Sequence, residues 1–253
     1  MIRLVEAPDK PVLEAFCQKE SPFACRIWST AQAYGLHLPF ARFWIQEQGR
    51  AVTAAVCKLD GAAVLEAGTG ANFEELRGFL RAADTGSLLC SEEACACLKI
   101  PAARQGRMMA CRENSGREPG QNVEWNPGVR EVYALLQDCR TDLFPVPDFE
   151  PFYLDLSHRI RHGTACSAGI RKGGNLAACA VASHLTEKAA VISAVAVRPL
   201  FRRQGLGSVA VRALLSGADR ELGFVFRAEG ENQAFYEALG FSDCGGWAEL
   251  TVT

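Results

Sequence analysis

The stretch Val195-Ala-Val-Arg-Pro-Leu-Phe-Arg-Arg-Gln-Gly-Leu-Gly-Ser208 decides how this chain is read. An apolar strand stops at Pro199, and a short basic, glycine-bearing loop opens an amphipathic helix that continues through about Leu215. The first turn of a helix leaves its backbone N–H groups unpaired, and the helix dipole favours an anion beside them. Gly205 and Gly207 let the backbone come close to such an anion, and Arg202 and Arg203 add positive charge. Strand, loop and helix in this order predict a phosphate cradle.

Composition sets the outer bounds. The 253 residues allow one large domain or two of about half that length. A net charge of −2 gives no field for general attraction to nucleic acid or to a membrane surface. No apolar run approaches the ~20 residues that span a bilayer. The opening Met-Ile-Arg-Leu-Val-Glu-Ala-Pro-Asp-Lys lacks the apolar centre of a signal peptide. Eleven cysteines, an odd number, are scattered through apolar segments such as Ala178-Cys179-Ala180, the pattern of buried thiols in a reducing cytoplasm. Cys95 and Cys97 have no second pair and no nearby His to complete a metal site, so none is expected.

The polar, turn-rich stretch 113–128 predicts a linker between a first domain at 1–112 and a second at 129–253. In the second, helices are expected over Val129 to Arg140 and Glu150 to Arg161. Strands follow at about Thr164 to Arg171, Leu176 to His184 and Ala189 to Val197. After the loop and its helix come a strand near Phe224 to Ala228, a helix near Glu231 to Leu239 and a strand near Trp247 to Val252. The first half repeats the order: helices at Lys10 to Gln18 and Pro22 to Tyr34, then strands at Ala41 to Gln46, Ala51 to Leu59 and Ala62 to Ala67. A helix at Phe73 to Ala83, Ser87-Leu-Leu-Cys, a short helix from Glu92 and a strand near Met108 to Cys111 complete it. Ser21-Pro-Phe recurs as Glu150-Pro-Phe, and Ala62-Ala-Val-Leu-Glu-Ala as Ala189-Ala-Val-Ile-Ser-Ala. The expectation is an α/β fold of two tandem domains, each a central mixed sheet flanked by helices.

From Val191 to Phe241 the chain resembles the GNAT superfamily of acyl-CoA-dependent N-acyltransferases. Arg202-Arg-Gln-Gly-Leu-Gly-Ser208 is similar to the family's pyrophosphate loop, and Asn232-Gln-Ala-Phe-Tyr-Glu-Ala-Leu-Gly-Phe241 to its second signature. The resemblance implies acetyl-CoA as co-substrate, its diphosphate held by Arg202, Arg203, Gln204, Gly205, Leu206, Gly207 and Ser208. It also implies a pantetheine arm lying along Val195, Ala196 and Val197 like an added strand. It places Tyr236 beside the thioester sulfur as general acid, with Phe235 an apolar anchor. The family's usual Asn falls here on Glu229, so either Asn232 replaces it as helix cap and cofactor contact or that contact is absent. The first half has no Arg-x-x-Gly-x-Gly after Glu66, which marks it as a degenerate GNAT-like domain without an acyl-CoA site.

Relatives carry a glutamate base where this chain has Ser193; the remaining candidates are His184, Glu187, His158, His162 and ordered water. Presenting an amine of pKa ~10.4 as neutral at pH 7 costs ~4.6 kcal/mol, which a desolvating cleft can offset. The implied reaction is direct attack of a primary amine, small-molecule or peptide, on the thioester in a ternary complex. Acylation of Cys179 or Cys166 is a ping-pong alternative, with no Cys-His pair at suitable spacing. A non-catalytic acyl-CoA-binding regulatory or sensor module is the alternative from another class. The acceptor and the oligomeric state stay open.

Overall fold

Several helices begin where a short side chain takes over a backbone N–H. Ser21 Oγ accepts from the N–H groups of Phe23 and Ala24 at 3.2 and 3.3 Å, Asn72 Oδ1 from Glu75 at 3.1 Å, and Ser91 Oγ from Ala94 at 3.1 Å. The computed structural model describes residues 1–112 and 123–252. The first half runs β1 (Ile2–Leu4), α1 (Lys10–Cys17), α2 (Pro22–Tyr34), β2 (Ala41–Gln48), β3 (Ala51–Leu59) and β4 (Ala62–Ala67). It goes on to α3 (Phe73–Ala82), β5 (Ser87–Ser91), α4 (Glu92–Leu98) and β6 (Ala102–Arg112). The second half runs β7 (Val123–Trp125), α5 (Val129–Asp138), α6 (Phe149–Arg161), β8 (Cys166–Lys172), β9 (Asn175–Leu185) and β10 (Ala189–Val197). Then follow α7 (Leu206–Ala218), β11 (Leu222–Ala228), α8 (Gln233–Glu237) and β12 (Ser242–Thr251). Element for element, the two halves are the same.

The order of elements, not short matches, carries that repeat. Ser21 is the N-cap of α2, whereas α6 is entered from Asp148, so Glu150-Pro-Phe lies inside its first turn and is out of frame with Ser21-Pro-Phe. The second match is structural: β4 and β10 both start a parallel crossover, Ala62↔Ser87 through α3 and Ala189↔Leu222 through α7. Of the expected linker, residues 113–122 lie outside the described residues; Val123–Trp125 is an edge strand on β8.

The chain forms two compact units, and they do not follow a cut at the linker. The first holds Met1–Met108, Arg227–Glu229 and Asp243–Thr253; the second holds Met109–Phe226 and Gly230–Ser242. Within the first unit the strand order is β1-β2-β3-β4-β5-β12, followed by the start of β6. Within the second, the end of β6 leads into β11-β10-β9-β8-β7. The last strand of the second repeat thus pairs in the first unit's sheet, and β6, the last strand of the first repeat, contributes its end to the second unit. Both units carry a mixed sheet: β4 and β5 pair in parallel in the first, and β10 and β11 in the second, beside antiparallel pairs.

Each sheet is covered on both faces. In the first unit Leu13, Ile27, Phe43 and Ile45 pack under α1 and α2, while Leu65, Leu76, Leu80, Leu88 and Leu250 pack under α3 and α4. In the second, Leu135, Leu136, Leu156 and Val181 lie under α5 and α6. Met109, Ile192, Val211, Leu214 and Phe241 form the core on the α7 face.

Candidate active site

The site begins with a strand that loses one neighbour. β11 pairs with β10 from Ala189↔Leu222 to Ile192↔Val225. β10 continues to Val197, held on its other side by β9 as far as Val197↔Ala178. Among the described residues, the β11-side edge of Ser193–Val197 carries no strand pairing. The register with β9 slips here too, from Ile192↔Ala182 to Ala194↔Val181, leaving Ser193 as the extra residue of a bulge. The bulge changes which residues face α7. Before it Ala190 and Ile192 do; after it Val195 and Val197 do, while Ala194 and Ala196 turn toward α5 and α6. A free backbone edge bordered by Val195 and Val197 suits an extended ligand bearing amides.

The loop beyond Val197 is shaped for an anion. Pro199–Phe201 make one turn, Arg203 adopts a left-handed φ of +62°, and Gly205 does so at +75° as the N-cap of α7. A left-handed residue followed by helical ones gathers successive N–H groups into one concavity. Helix geometry leaves those of Leu206, Gly207 and Ser208 without intrahelical partners. A β-carbon on Gly207 would lie 3.3 Å from Val197 Cγ2 and 3.5 Å from the Phe235 ring, so strand end, loop and α8 close on this residue. Gly205 is different: there the space is open and only the backbone conformation demands glycine. Arg203 and Gln204 are exposed, while Arg202 folds back so that its Nε donates to the Val197 carbonyl at 3.2 Å. The Cys139 thiol donates to the same carbonyl, also at 3.2 Å, so that group is already engaged. Arg198 next to it pairs with Asp138 and donates through Nε to the Leu176 carbonyl at 2.8 Å. This anchoring of the strand end by α5 has no signature in the sequence.

On α8 the burial order reverses the expected one. Tyr236 is 8% exposed within the α7-face core, whereas Phe235 is half-buried against Gly207. The Tyr236 ring meets Phe235 edge-on at 5.0 Å and Phe241 at 5.5 Å. Burial pushes its phenol up to about 12, so the hydroxyl stays protonated at neutral pH. Asn232 is at the N-cap of α8 with φ +56°, and its carbonyl accepts from Tyr236 N at 3.2 Å, but its side chain makes no capping bond. Glu229 is exposed.

The candidate bases gather elsewhere. Glu187 is exposed in the β9–β10 turn, and His184 stands opposite Val191 with Nδ1 2.7 Å from Ser183 Oγ. His158 and His162 stack at 4.0 Å where α6 ends, and Leu185 N donates to the Thr164 carbonyl just beyond, at 2.8 Å. All four sit toward the start of β10, away from the loop. Among the described residues no three His, Cys, Asp or Glu side chains gather as a metal site, and no helix is long and apolar enough to cross a membrane.

In the first unit the corresponding helix start is filled by the protein itself. Asn72 caps α3, its N–H donates to Gln46 Oε1 at 2.8 Å, and Gln46 Nε2 donates to the Asn72 carbonyl and to Glu75 Oε2. Gln46 is 1% exposed, and Glu74 and Glu75 bring negative charge to the first turn, where an anion would have to sit. Glu66, the counterpart of Ser193, is buried. It accepts from Ser21 Oγ at 2.5 Å with Lys19 Nζ at 3.6 Å, and burial holds its carboxyl above the usual range. A group raised on folding adds stability as pH falls through its folded pKa. Glu66→Gln keeps an acceptor for Ser21 and removes the buried charge. We expect it to abolish that pH dependence, hold or raise the Tm at pH 7 and leave acetyl-CoA affinity unchanged. Thermal melts with calorimetric titration check this, and a tenfold loss of affinity would give Glu66 a part in the site.

The fold is one that supports acyl transfer from acyl-CoA. Residues 129–241 match the Acetyltransferase (GNAT) family, and the second half of the chain carries a GNAT domain. Among solved structures the chain is similar to a tandem GNAT protein from the clavulanic acid biosynthesis pathway, at 14% identity over 99% of this chain and 97% of that one, with a TM-score of 0.61. A Drosophila protein matches at 14% identity over 99% and 98%, TM-score 0.67. A GCN5-related N-acetyltransferase from Sphaerobacter thermophilus matches at 13% identity over 98% and 94%, TM-score 0.62. These likenesses show the fold: two α/β halves in tandem, each a mixed sheet flanked by helices. No curated protein matches in sequence.

Proposed function

We propose that the chain transfers an acetyl group from acetyl-CoA to a primary amine by direct attack in a ternary complex. The observation that carries this reading is the convergence of β10's unpaired edge, the loop and α8 on Gly207. Acetyl-CoA would supply the activated acyl group as a thioester. Residues Arg202 to Ser208 would hold its diphosphate through N–H groups and charge, and Val195 to Val197 its pantetheine amides. In that reading the Val195 edge matters more than the Val197 carbonyl, which has two internal donors. Asn232 would contribute through backbone position, since its side chain caps nothing.

In this reading Tyr236 Oη would donate to the departing sulfur. A phenol at about 12 facing a thiol near ~8.5 makes full proton transfer uphill by roughly 5 kcal/mol. Its contribution is therefore a hydrogen bond that strengthens as thiolate charge develops. A thiol nucleophile is disfavoured, because burial pushes Cys179 up to about 12 and Cys166 to about 11. Ordered water is the base this arrangement favours, since the histidines lie toward the other end of β10. The eleven free thiols suit the reducing cytoplasm.

The test is CoA release from acetyl-CoA with a panel of primary amines. Turnover with any of them supports the transferase reading; tight acetyl-CoA binding without turnover across the panel supports the sensor reading. Titration should show one acetyl-CoA per chain, because the first unit's helix start is filled by Asn72, Gln46 and Glu75. Gly205→Asp forces a side chain into a left-handed backbone and sets a carboxylate against the diphosphate. It should weaken binding by about 100-fold or more. Two equivalent sites, or unchanged affinity in the folded variant, would overturn the assignment.

A further inference from the structure

The aromatic rings of α5 and α6 gather at one place. Tyr133 meets Phe149 at 5.1 Å between centroids and Phe152 at 5.4 Å, and Phe149 meets Tyr153 at 5.5 Å. All four rings are half-buried. The exposed Arg130 lays its guanidinium over Phe149 at 5.2 Å and over Tyr153 at 5.0 Å. Ring faces carry the negative end of the quadrupole, so this surface is a seat for a cation, and a planar one already fits it. The Tyr133 hydroxyl donates to the Pro147 carbonyl at 3.1 Å, tying the α5–α6 connection to the same rings. From Thr141 to Asp155 the chain carries Asp142, Asp148, Glu150 and Asp155 and neither lysine nor arginine. A positive ligand therefore meets no repulsion from this segment.

The seat is connected to the strand assigned to acetyl-CoA. Cys139, at the C-cap of α5, touches the Val197 carbonyl, and Asp138 pairs with Arg198. Arg130 stands nine residues earlier on the same helix, about 13 Å by helical rise.

We infer that the Tyr133–Phe149–Tyr153 face docks the acceptor, and that the acceptor is a primary amine bearing a second cationic group. The inference rests on the acyltransferase reading. Arg130 occupies the seat in the free protein and gives way to the acceptor's cation. A neutral tail gains apolar contact with the rings but no cation–π attraction, so it does not replace the charge that Arg130 supplies.

The experiment uses the full chain with saturating acetyl-CoA and matched acceptors. Gly-Ala-Ala-Arg-amide is compared with Gly-Ala-Ala-Leu-amide, and spermidine with octylamine, so that a peptide and a polyamine source are told apart. The cationic member of at least one pair should have kcat/KM about tenfold higher. Tyr153→Leu keeps an apolar side chain without a ring face and should raise the KM for the cationic member toward that of its neutral partner. Arg130→Gln removes the internal competitor and should lower that KM, a gain that a purely structural arginine would not give. Equal kcat/KM within both pairs, or a preference unmoved by both variants, overturns the proposal. If no amine is turned over, the acyltransferase reading is what fails. Calorimetric titration of the two peptides then decides the seat: a preference for the arginine peptide that Tyr153→Leu removes supports it, and no preference overturns it.

Discussion

We expect Tyr236→Phe to lower kcat by roughly 10²–10³-fold, the usual range for losing one hydrogen-bond donor to charge that develops in the transition state. The ring meets Phe235 and Phe241 edge-on, and phenylalanine preserves both contacts, so the fold and the acetyl-CoA affinity should survive. The loss should fall on kcat more than on KM, because the hydroxyl's bond strengthens only as charge builds on the sulfur. Burial adds a pH signature. With the phenol at about 12, the wild-type rate should show no alkaline fall from Tyr236 between pH 7 and 10, and the Phe variant should keep the profile's shape at a lower level. Steady-state rates across that range, in an assay where chemistry limits, make the check. Near-wild-type kcat would remove Tyr236 from the mechanism and leave water or another hydroxyl as the donor.

Removing Asp243–Thr253 should have an effect as large, on folding. Those residues belong to the first unit, where β12 pairs with β5 from Trp247↔Ser91 to Thr251↔Ser87. Ala248, Leu250 and Val252 are buried with Leu76, Leu80 and Leu88. Burying a Leu or Val side chain contributes about 1.5–3 kcal/mol, and a whole domain has only ~5–15 kcal/mol in hand. Truncation before residue 243 should therefore unfold the first unit although it touches no residue of the loop. A Val123–Thr253 fragment should fail for the reciprocal reason, since the second unit's core includes Met109 and Cys111 of β6. Met1–Arg112 and Val123–Thr253 expressed together contain every element intact and should co-purify as a folded pair. Hydrogen exchange of the truncated chain and size-exclusion of the fragments supply the measurements. A monomeric, cooperatively folding Val123–Thr253 with wild-type acetyl-CoA affinity would refute the exchange of terminal strands.

Much of this protein was legible in the residues. The elements expected at Pro22–Tyr34, Ala51–Leu59 and Ala189–Val197 are observed with those bounds, because apolar runs of helix or strand length closed by turn residues are local signals. The loop was readable because glycine, arginine and proline there answer to backbone geometry and charge, both local properties. The tandem order followed from counting elements.

Pairing partners were not readable. In sequence β12 directly follows α8 of the second half, and nothing in Ser242–Thr251 says that its neighbour is β5, since an apolar strand fits any apolar sheet edge of matching register. The bulge at Ser193 carries no signal either; it exists because β9 and β10 slip by one residue, and it decides that Val195 and Val197 rather than Ala194 and Ala196 face α7. The filled helix start of the first unit joins Gln46, on β2, to Asn72 and Glu75, which follow it in the chain only after β3 and β4. Sequence by itself determined the elements, their order and the glycine-bearing loop that opens α7, because those rest on interactions within a few residues. Tertiary structure decided which strand completes which sheet, which of Phe235 and Tyr236 is buried and which helix start is filled, because those rest on contacts between residues far apart in the chain.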